Sequence, residues 1–333
     1  MTRRELIKLF GVTGLVLTLP KPLSLFAQYK NNMNKKEFEV IIIGGSYAGL
    51  SAAMALGRSL RKTLVIDSGK PCNRQTPYSH NFLTQDGSTP KEIAEITKNQ
   101  IKKYNSIKFY DGLAVGGKRS NKGFEITTLK GDTFTAKKLV FAAGIKDLMP
   151  NIKGFSECWG ISVVHCPYCH GYEIRNKNTA IIANGERAFH LASLVNNLTK
   201  DITILTSGAK EFEDEQLEKF KQHHIEIIEK EISEIEHQNG QLEKIIFKDG
   251  STKTFDCAYA SIPFEQNSTI PTELGCKLTE HGHIEVNVMQ KTTEEGIFAC
   301  GDNSSRMRSV ALAVSGGNIT GAAINNELTK DFF

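Results

Sequence analysis

The segment from Glu37 to Gly69 constrains the fold most, because a glycine turn and an alanine-rich helix join two apolar strands in it, with the sequence EFEVIIIGGSYAGLSAAMALGRSLRKTLVIDSG. Gly44 permits a tight turn, and Gly49 lets the helix pack closely against the sheet. Ser46 stands where such turns usually carry a second glycine, so the backbone approaches the phosphates beside a small side chain. Asp67, 23 positions after Gly44, can accept hydrogen bonds from ribose hydroxyls. This order predicts a βαβ unit that binds a dinucleotide, with the pyrophosphate at the helix N-terminus.

A second strand–turn–helix–strand pattern follows later in the chain, in TAIIANGERAFHLASLVNNLTKDITILTSG. Its three turn positions carry Ala183, Gly185 and Ala188, so the first glycine is missing. The second strand ends without an acid for a ribose hydroxyl or an arginine for a 2'-phosphate. Arg187 lies within the turn and is placed either to bind a phosphate or simply to face solvent. The scaffold of a nicotinamide domain is therefore predicted, whereas its sequence argues against NAD(P)H as a bound cofactor.

Between the two units lies VVHCPYCHGYE, in which Cys166 and Cys169 are separated by two residues. A Cys-x-x-Cys turn holds two sulfurs near disulfide distance, and the thiolate form of the first is the reactive species. Half of a zinc site and two inert buried cysteines are the alternatives. Zinc needs about four ligands, and the sequence offers no second pair of ligands, so we predict no metal. The chain has seven cysteines, an odd and otherwise scattered set, which does not suggest a disulfide scaffold.

The composition is that of a soluble globular protein of about two domains. The chain has 333 residues, of which 40% are hydrophobic and 23% are charged. Its 41 basic and 37 acidic side chains give a formal charge of +4, and no segment gathers the basic residues into a stripe. Nucleic acid is therefore not an expected partner.

The N-terminal segment, residues 1–28, has the features of an export signal. Arg3 and Arg4 precede a short apolar stretch, and Ala27 provides a small residue for cleavage. A plain N-terminal helix is the alternative, which prolines at positions 20 and 22 would break. The segment predicts a twin-arginine signal and a periplasmic protein. If residues 1–28 are not a signal, the protein is expected in the cytoplasm.

Two further segments suggest a flavin site. KKLVFAAGI, from Lys137 to Ile145, is an apolar strand ending in small residues. GIFACGDNSS, from Gly296 to Ser305, is a strand that delivers Gly301 and Asp302 into a loop, with a helix from about Arg308. An aspartate in that loop can hold the ribityl hydroxyls of FAD, and it can also cap the helix.

These motifs together resemble the low-molecular-weight thioredoxin reductase family. The resemblance extends from Glu37 to Leu328, and its markers are GGSYAG (44–49), AAG (142–144), HCPYCHGYE (165–173) and FACGD (298–302). Within the family, GGSYAGLSAA together with CPYCHGYE is similar to a branch that includes flavin-dependent dithiol oxidases. Those enzymes pass electrons to oxygen instead of taking them from NADPH.

The resemblance implies an α/β fold of two Rossmann-like, three-layer domains. An FAD domain at 37–147 and 267–333 would be split by an inserted NAD(P)-like domain at 148–266, which carries the Cys-x-x-Cys. FAD would be the cofactor, and a homodimer is expected. The residues that would contact FAD are Gly44, Ser46, Gly49, Asp67, Gln85, Gly144, Gly301 and Asp302.

The resemblance also assigns catalytic roles. Cys166 would exchange with the partner, Cys169 would lie against the isoalloxazine, and His170 would replace the aspartate that transfers protons in the reductases. An imidazole with an ordinary pKa of about 6.5 accepts and donates protons near neutrality. The expected partner is a small dithiol or a thioredoxin-like protein, with oxygen as the possible electron acceptor. An NAD(P)H-dependent disulfide reductase and a non-catalytic, flavin-bound scaffold are the alternative functions.

Overall fold

Two sheets, each built on a strand–helix–strand unit, organise the part of the chain that this computed structural model describes, residues 36–330 and 333. The predicted export signal at 1–28 lies outside the described residues. In the described part, no helix combines the length and apolar character needed to cross a membrane.

The first sheet has seven strands, in the order β3-β2-β1-β6-β5-β4, with β17 also paired to β6. Its strands are β1 (Lys36–Ile43), β2 (Thr63–Asp67), β3 (Ile107–Asp111), β4 (Ala114–Ser120), β5 (Gly123–Thr128), β6 (Thr133–Phe141) and β17 (Ile297–Ala299). The pairs β1–β2, β2–β3 and β6–β17 are parallel, and β4–β5 and β5–β6 are antiparallel.

Helices cover one face of the first sheet. They are α1 (Tyr47–Arg58), α2 (Pro90–Lys102) and α8 (Val310–Lys330). Ile42 of β1 and Leu50 of α1 are buried in one core with Ile324 of α8. Glycines let α8 approach α1 closely, because a Cβ at Gly321 would lie 2.6 Å from the Ala55 Cβ. On the opposite face, side chains of β1, β2 and β6 share a core with those of the antiparallel strands β4 and β5 of the same sheet and of the short helix α7 (Ile270–Glu273).

The second sheet is parallel, in the order β11-β10-β9-β15-β8. Its strands are β8 (Val163–Val164), β9 (Thr179–Ile182), β10 (Ile202–Leu205), β11 (Glu226–Ile228) and β15 (Cys257–Ala260). Helices α5 (Gly185–Val195) and α6 (Asp214–Gln222) share a core with one face. On the other face lies an antiparallel sheet of β12 (Ile232–Gln238), β13 (Gln241–Phe247) and β14 (Thr252–Thr254).

The two segments that connect the sheets pair with each other. β7 (Ile145–Asp147) follows the first sheet, β16 (Phe264–Gln266) follows the second, and they form an antiparallel two-stranded sheet. The chain therefore leaves the first sheet after β6 and returns to it at β17. Two short helices, α3 (Phe155–Cys158) and α4 (Pro167–His170), complete the order. The predicted α/β fold with Rossmann-like, three-layer units is confirmed, and the exact domain boundaries stay a prediction.

Candidate functional site

Three of the predicted flavin segments meet at one edge of the first sheet. The Ala142 N–H donates to the Ile43 carbonyl at 2.8 Å, and the Cys300 N–H donates to the Phe141 carbonyl at 3.0 Å. The carboxyl ends of β1, β6 and β17 are thus adjacent, which is where open α/β sheets bind nucleotides. Gly44 has a φ of +105°, and a Cβ there would overlap the carbonyl oxygen of Ala142.

The N-terminus of α1 is open to an anion. Ser46 is its N-cap residue but makes no side-chain capping bond, and the first turn carries no acidic residue. The φ of Ser46 is −99°, which explains why serine replaces glycine at this position without backbone strain. The Gly45 N–H donates to the Asp67 carboxylate at 3.1 Å. Free N–H groups next to a fixed carboxylate fit the pyrophosphate and ribose of a dinucleotide such as FAD.

The loop at residues 300–309, which we call the β17–α8 loop, carries the second predicted carboxylate. Gly301 has a φ of +87°, and a Cβ there would lie 3.0 Å from Ala48 in the first turn of α1. Asp302 is 19% exposed, and its burial raises the pKa of the carboxyl group, while the nearby Arg308 opposes the rise. Because α8 begins only at Val310, Asp302 does not cap that helix.

Cys166 and Cys169 form a disulfide in a single turn, with their Cα atoms 5.3 Å apart. The N–H groups of Cys169 and His170 both point to the Cys166 carbonyl, at 3.2 and 3.3 Å. Gly171 closes this turn, since a Cβ there would overlap the Pro167 carbonyl and Leu198. The two cysteine residues of the turn are partly buried, whereas Tyr168 between them is 64% exposed. The geometry is that of an accessible redox disulfide.

The dithiol turn packs against the first dinucleotide unit. Nδ1 of His80, in the loop after β2, lies 3.5 Å from the Glu173 carboxylate. Gly160, ahead of the dithiol, faces Gln75 and Thr76 of the same loop, because a Cβ there would lie 3.0 Å from the Thr76 hydroxyl. Residues on both sides of the Cys-x-x-Cys therefore contact the loop after β2, and the proximity of the sulfurs to the flavin stays a prediction.

His170 differs from the expectation of an ordinary imidazole. Burial and, to a smaller extent, the nearby His80 lower its pKa to about 4. His165 behaves similarly, since burial and then Arg308 lower its pKa to about 3. Both imidazoles are neutral at pH 7. His170 is thus free to accept a proton there, and it holds that proton weakly.

Two buried polar atoms near this junction lack a hydrogen-bond partner within the described residues: Nε2 of His165 and Nε of Arg308. Cys72 lies beside them, with its sulfur 3.9 Å from the Asp302 carboxylate. Burial raises the pKa of the Cys72 thiol to about 11, so the thiol is neutral. Buried polar atoms without partners are costly and usually have one. Nε of Arg308 has the Asp302 carboxylate at 3.6 Å, so Nε2 of His165 is the atom that fits a site holding a further polar group.

The second βαβ turn is occupied by its own chain. The Asn184 side chain caps α5, accepting from the N–H groups of Gly185 at 2.9 Å and Glu211 at 3.0 Å. Its amide also donates to the Ala209 carbonyl at 2.8 Å. Glu186 adds a carboxylate to the first turn. The N–H groups that would bind a pyrophosphate are thus partly satisfied, and the negative charge in the first turn disfavours a phosphate there.

The remaining predicted cofactor residues lie apart from this network. Gln85 closes a backbone turn with Phe82 and makes no side-chain hydrogen bond within the described residues. Gly144, with a φ of +68°, precedes β7 and has open space around it. Among the residues that the structure describes, no group of three or more His, Cys, Asp and Glu side chains is arranged to hold a metal ion.

Sequence reasoning missed several residues of this site. Asn184 is a favoured N-cap residue immediately before a helix, so its capping role had a local signal. Asp147, Trp159 and Arg308 had none, because their side chains meet only through the tertiary fold. The Trp159 indole N–H donates to Asp147 at 3.1 Å, and Arg308 forms two bonds to the same carboxylate.

Comparisons with known proteins agree with this geometry. The family model described as pyridine nucleotide-disulphide oxidoreductase matches residues 38–317. Thioredoxin reductase tcpT of Claviceps purpurea is 31% identical, over 88% of this chain and 95% of its own length. A solved oxidoreductase from Agrobacterium tumefaciens is 35% identical with a TM-score of 0.83, covering 89% of this chain and 99% of its own. A putative thioredoxin reductase from Bacillus anthracis is 29% identical with a TM-score of 0.84, covering 89% and 100%.

Proposed function

The chain belongs to the pyridine nucleotide-disulphide oxidoreductase family, and we propose that within this family it oxidises dithiols to disulfides through Cys166 and Cys169. Its coarser activity, a thioredoxin reductase-like FAD-dependent disulfide oxidoreductase, follows from the family match. The glycine turn, Asp67 and the β17–α8 loop would hold FAD. When bound, FAD accepts an electron pair from the dithiol and passes it on.

The direction of electron flow is inferred from the contrast between the two helix N-termini. α1 begins at an uncapped serine with no acid in its first turn. α5 begins at an asparagine whose side chain already binds the Gly185 and Glu211 N–H groups. An NAD(P)H-dependent reductase needs the second site, whereas a dithiol oxidase needs only the first. This contrast is the observation that carries the proposal.

In the first half-reaction, one substrate thiolate attacks Cys166 Sγ, and the Cys166–Cys169 bond breaks. Cys169 leaves as a thiolate, and a substrate–Cys166 mixed disulfide forms. The second substrate thiol then attacks the first substrate sulfur in that mixed disulfide. The bond to Cys166 breaks, which releases Cys166 as a thiolate and the substrate as a disulfide. His170 relays the proton of the attacking thiol to solvent, since its imidazole is neutral at pH 7 and, with a pKa of about 4, releases the proton readily.

In the second half-reaction the Cys166 and Cys169 thiolates give up an electron pair and re-form their disulfide, and a bound flavin would supply the route from that pair to molecular oxygen as the oxidant. The sum is one dithiol and one O₂ converted to one disulfide and one H₂O₂, so that two electrons and two protons are accounted for. The reductase alternative would run the first half-reaction backwards with NAD(P)H as the donor.

Anaerobic titration of the yellow protein tests the proposal. We expect dithiothreitol to bleach the visible flavin absorbance, and NADPH and NADH to leave it unchanged. Admitting air should then restore the absorbance and yield one H₂O₂ per disulfide. Bleaching by NADPH or NADH would contradict the proposal in favour of the reductase. No bleaching by any donor would favour the non-catalytic scaffold.

Replacing His170 by asparagine should slow flavin reduction by dithiothreitol about a hundredfold at pH 7, because the attacking thiol loses its general base. The deficit should shrink as the pH rises past the thiol pKa, about 8.5 for a model thiol, where the substrate ionises without help. Stopped-flow rates from pH 6 to 10 check this. The exposed His190 provides the control: His190→Asn should match the wild type throughout. A deficit that is constant with pH would contradict the base role.

Three finer points belong to this proposal. The partner is a small dithiol or a thioredoxin-like protein, in keeping with the name of the Claviceps relative, and turnover assays with each separate the two. We also propose a homodimer, which light scattering tests.

Finally, residues 1–28 are proposed to direct export to the periplasm, and a wholly cytoplasmic location on cell fractionation would contradict that.

A further inference from the structure

A buried ion pair joins the β17–α8 loop to the strand that leaves the first sheet. Two guanidinium nitrogens of Arg308 donate to the two carboxylate oxygens of Asp147, at 2.8 and 3.1 Å. The side chains are 18% and 9% exposed. Such a two-point pair fixes orientation as well as distance, because the planar fork of arginine matches a carboxylate.

Each residue of the ion pair also contacts a second residue, one near the proposed flavin site and one near the dithiol. Nε of Arg308 lies 3.6 Å from Asp302, the carboxylate proposed to hold FAD. Asp147 accepts the indole N–H of Trp159 at 3.1 Å. Trp159 is buried, stacks on Phe155 with ring centroids 5.7 Å apart, and has its ring centroid 6.0 Å from that of His165.

His165 directly precedes Cys166, so a continuous chain of contacts runs from Asp302 to the dithiol. It passes through Arg308, Asp147, Trp159 and His165. Asp147 is also the last residue of β7, one of the two strands that connect the sheets. The pair therefore lies where a small rotation between the two sheets would change the approach of the dithiol to the flavin segments.

We propose that Arg308, Asp147 and Trp159 are positioning residues that fix the distance between Cys169 and the flavin. The inference rests on the proposed function only in placing Cys169 against FAD, and holds for either direction of electron flow. Exchange of electrons between a sulfur and a ring requires near contact, and a misplacement of about 1 Å costs roughly a hundredfold in rate. A buried ion pair is a weak source of stability but a strong orienting contact once formed.

The test uses the full-length FAD protein and three variants of increasing disruption: Trp159→Phe, Asp147→Asn and Arg308→Gln. Trp159→Phe removes only the indole donor and keeps the ring stacked on Phe155. We expect the limiting rate of flavin reduction by dithiothreitol to fall by about a hundredfold in Arg308→Gln, and less in the other two. The dithiol concentration at half-maximal rate and the flavin content should stay near the wild-type values.

A spectroscopic readout separates positioning from general damage. In a Cys166→Ser background, the Cys169 thiolate should give long-wavelength charge-transfer absorbance with the oxidised flavin, which requires contact. The three variants should weaken this absorbance in the same order as the rate. In the apoprotein, hydrogen exchange of β7 and β16 should rise in Arg308→Gln.

Arg61→Gln is the matched control, because Arg61 pairs with Glu39 at 2.9 Å with similar burial, in the turn before β2. It should leave rate and absorbance unchanged. If Arg308→Gln lost flavin in proportion to its loss of rate, Arg308 would be a cofactor ligand and the positioning role would be overturned. Full charge-transfer absorbance in Asp147→Asn and Trp159→Phe would overturn it as well. A parent Cys166→Ser protein without this absorbance would overturn the inference, because Cys169 would then not touch the flavin. Failure of the proposed function is a separate result, namely a wild-type flavin that dithiothreitol does not reduce.

Discussion

Substitution of Cys169 by serine is expected to lower the rate of flavin reduction by a dithiol at least about a thousandfold, equivalent to about 4 kcal/mol of barrier. The variant has no disulfide for the substrate thiolate to open, and no sulfur from which electrons reach the cofactor. Anaerobic stopped-flow absorbance at pH 7, with flavin content measured for each protein, checks this. The fold should be intact, because the dithiol turn buries none of its residues fully.

Cys166→Ser should lose turnover equally but differ in its spectrum, because it keeps the sulfur that is proposed to face the flavin. Cys276→Ala is the control, since this buried thiol lies beside Thr292, within the first domain's core cluster. It should retain wild-type rates. A Cys169→Ser protein that is still reduced at the wild-type rate would mean that electrons enter through another thiol. Cys72, 3.9 Å from Asp302, would be the first to examine.

The features predicted from sequence were those with local signals. The strand–glycine–helix–strand order from Glu37 to Asp67 appears as β1, α1 and β2, because buried apolar runs and a glycine turn encode it within one segment. The pairing of Cys166 with Cys169 follows from a spacing of three residues. The second unit was also predicted correctly as a strand–turn–helix–strand scaffold, while its poor nucleotide site stays a prediction.

What could not be predicted depends on residues distant in the chain. Arg308 and Asp147 are 161 positions apart and meet only because the chain returns to the first sheet after the second. The lowered pKa of His170 arises from burial and from His80, which lies on a loop of the other unit. Neither burial nor a partner that far away is visible in the motif HCPYCHGYE. The hydrogen bond from the Glu211 N–H to the Asn184 side chain that caps α5 is hidden for the same reason.

Gly44→Ala should yield a colourless, destabilised protein, and this is the largest expected effect outside the dithiol. Gly44 has a φ of +105°, a conformation that alanine adopts at a cost of about 1–2 kcal/mol. Its Cβ would also overlap the Ala142 carbonyl, which belongs to backbone and cannot rotate away. The turn must then open, which separates β1 from the residues after β6 at the edge where FAD is expected. We expect a total loss of about 3 kcal/mol or more, measured by thermal unfolding and by the ratio of flavin to protein absorbance.

Two variants separate the causes of that loss. Gly69→Ala introduces backbone strain without steric overlap, since its φ is +72° and open space surrounds the added Cβ. It should lower the free energy of unfolding by about 1 kcal/mol and keep its flavin. Ser46→Gly should also keep its flavin, because the backbone at this position, with a φ of −99°, makes no demand for glycine. If Gly44→Ala bound FAD as well as Gly69→Ala does, steric closure of the turn would not be what shapes the cofactor site. The pyrophosphate would then depend on the helix N-terminus and Asp67 alone.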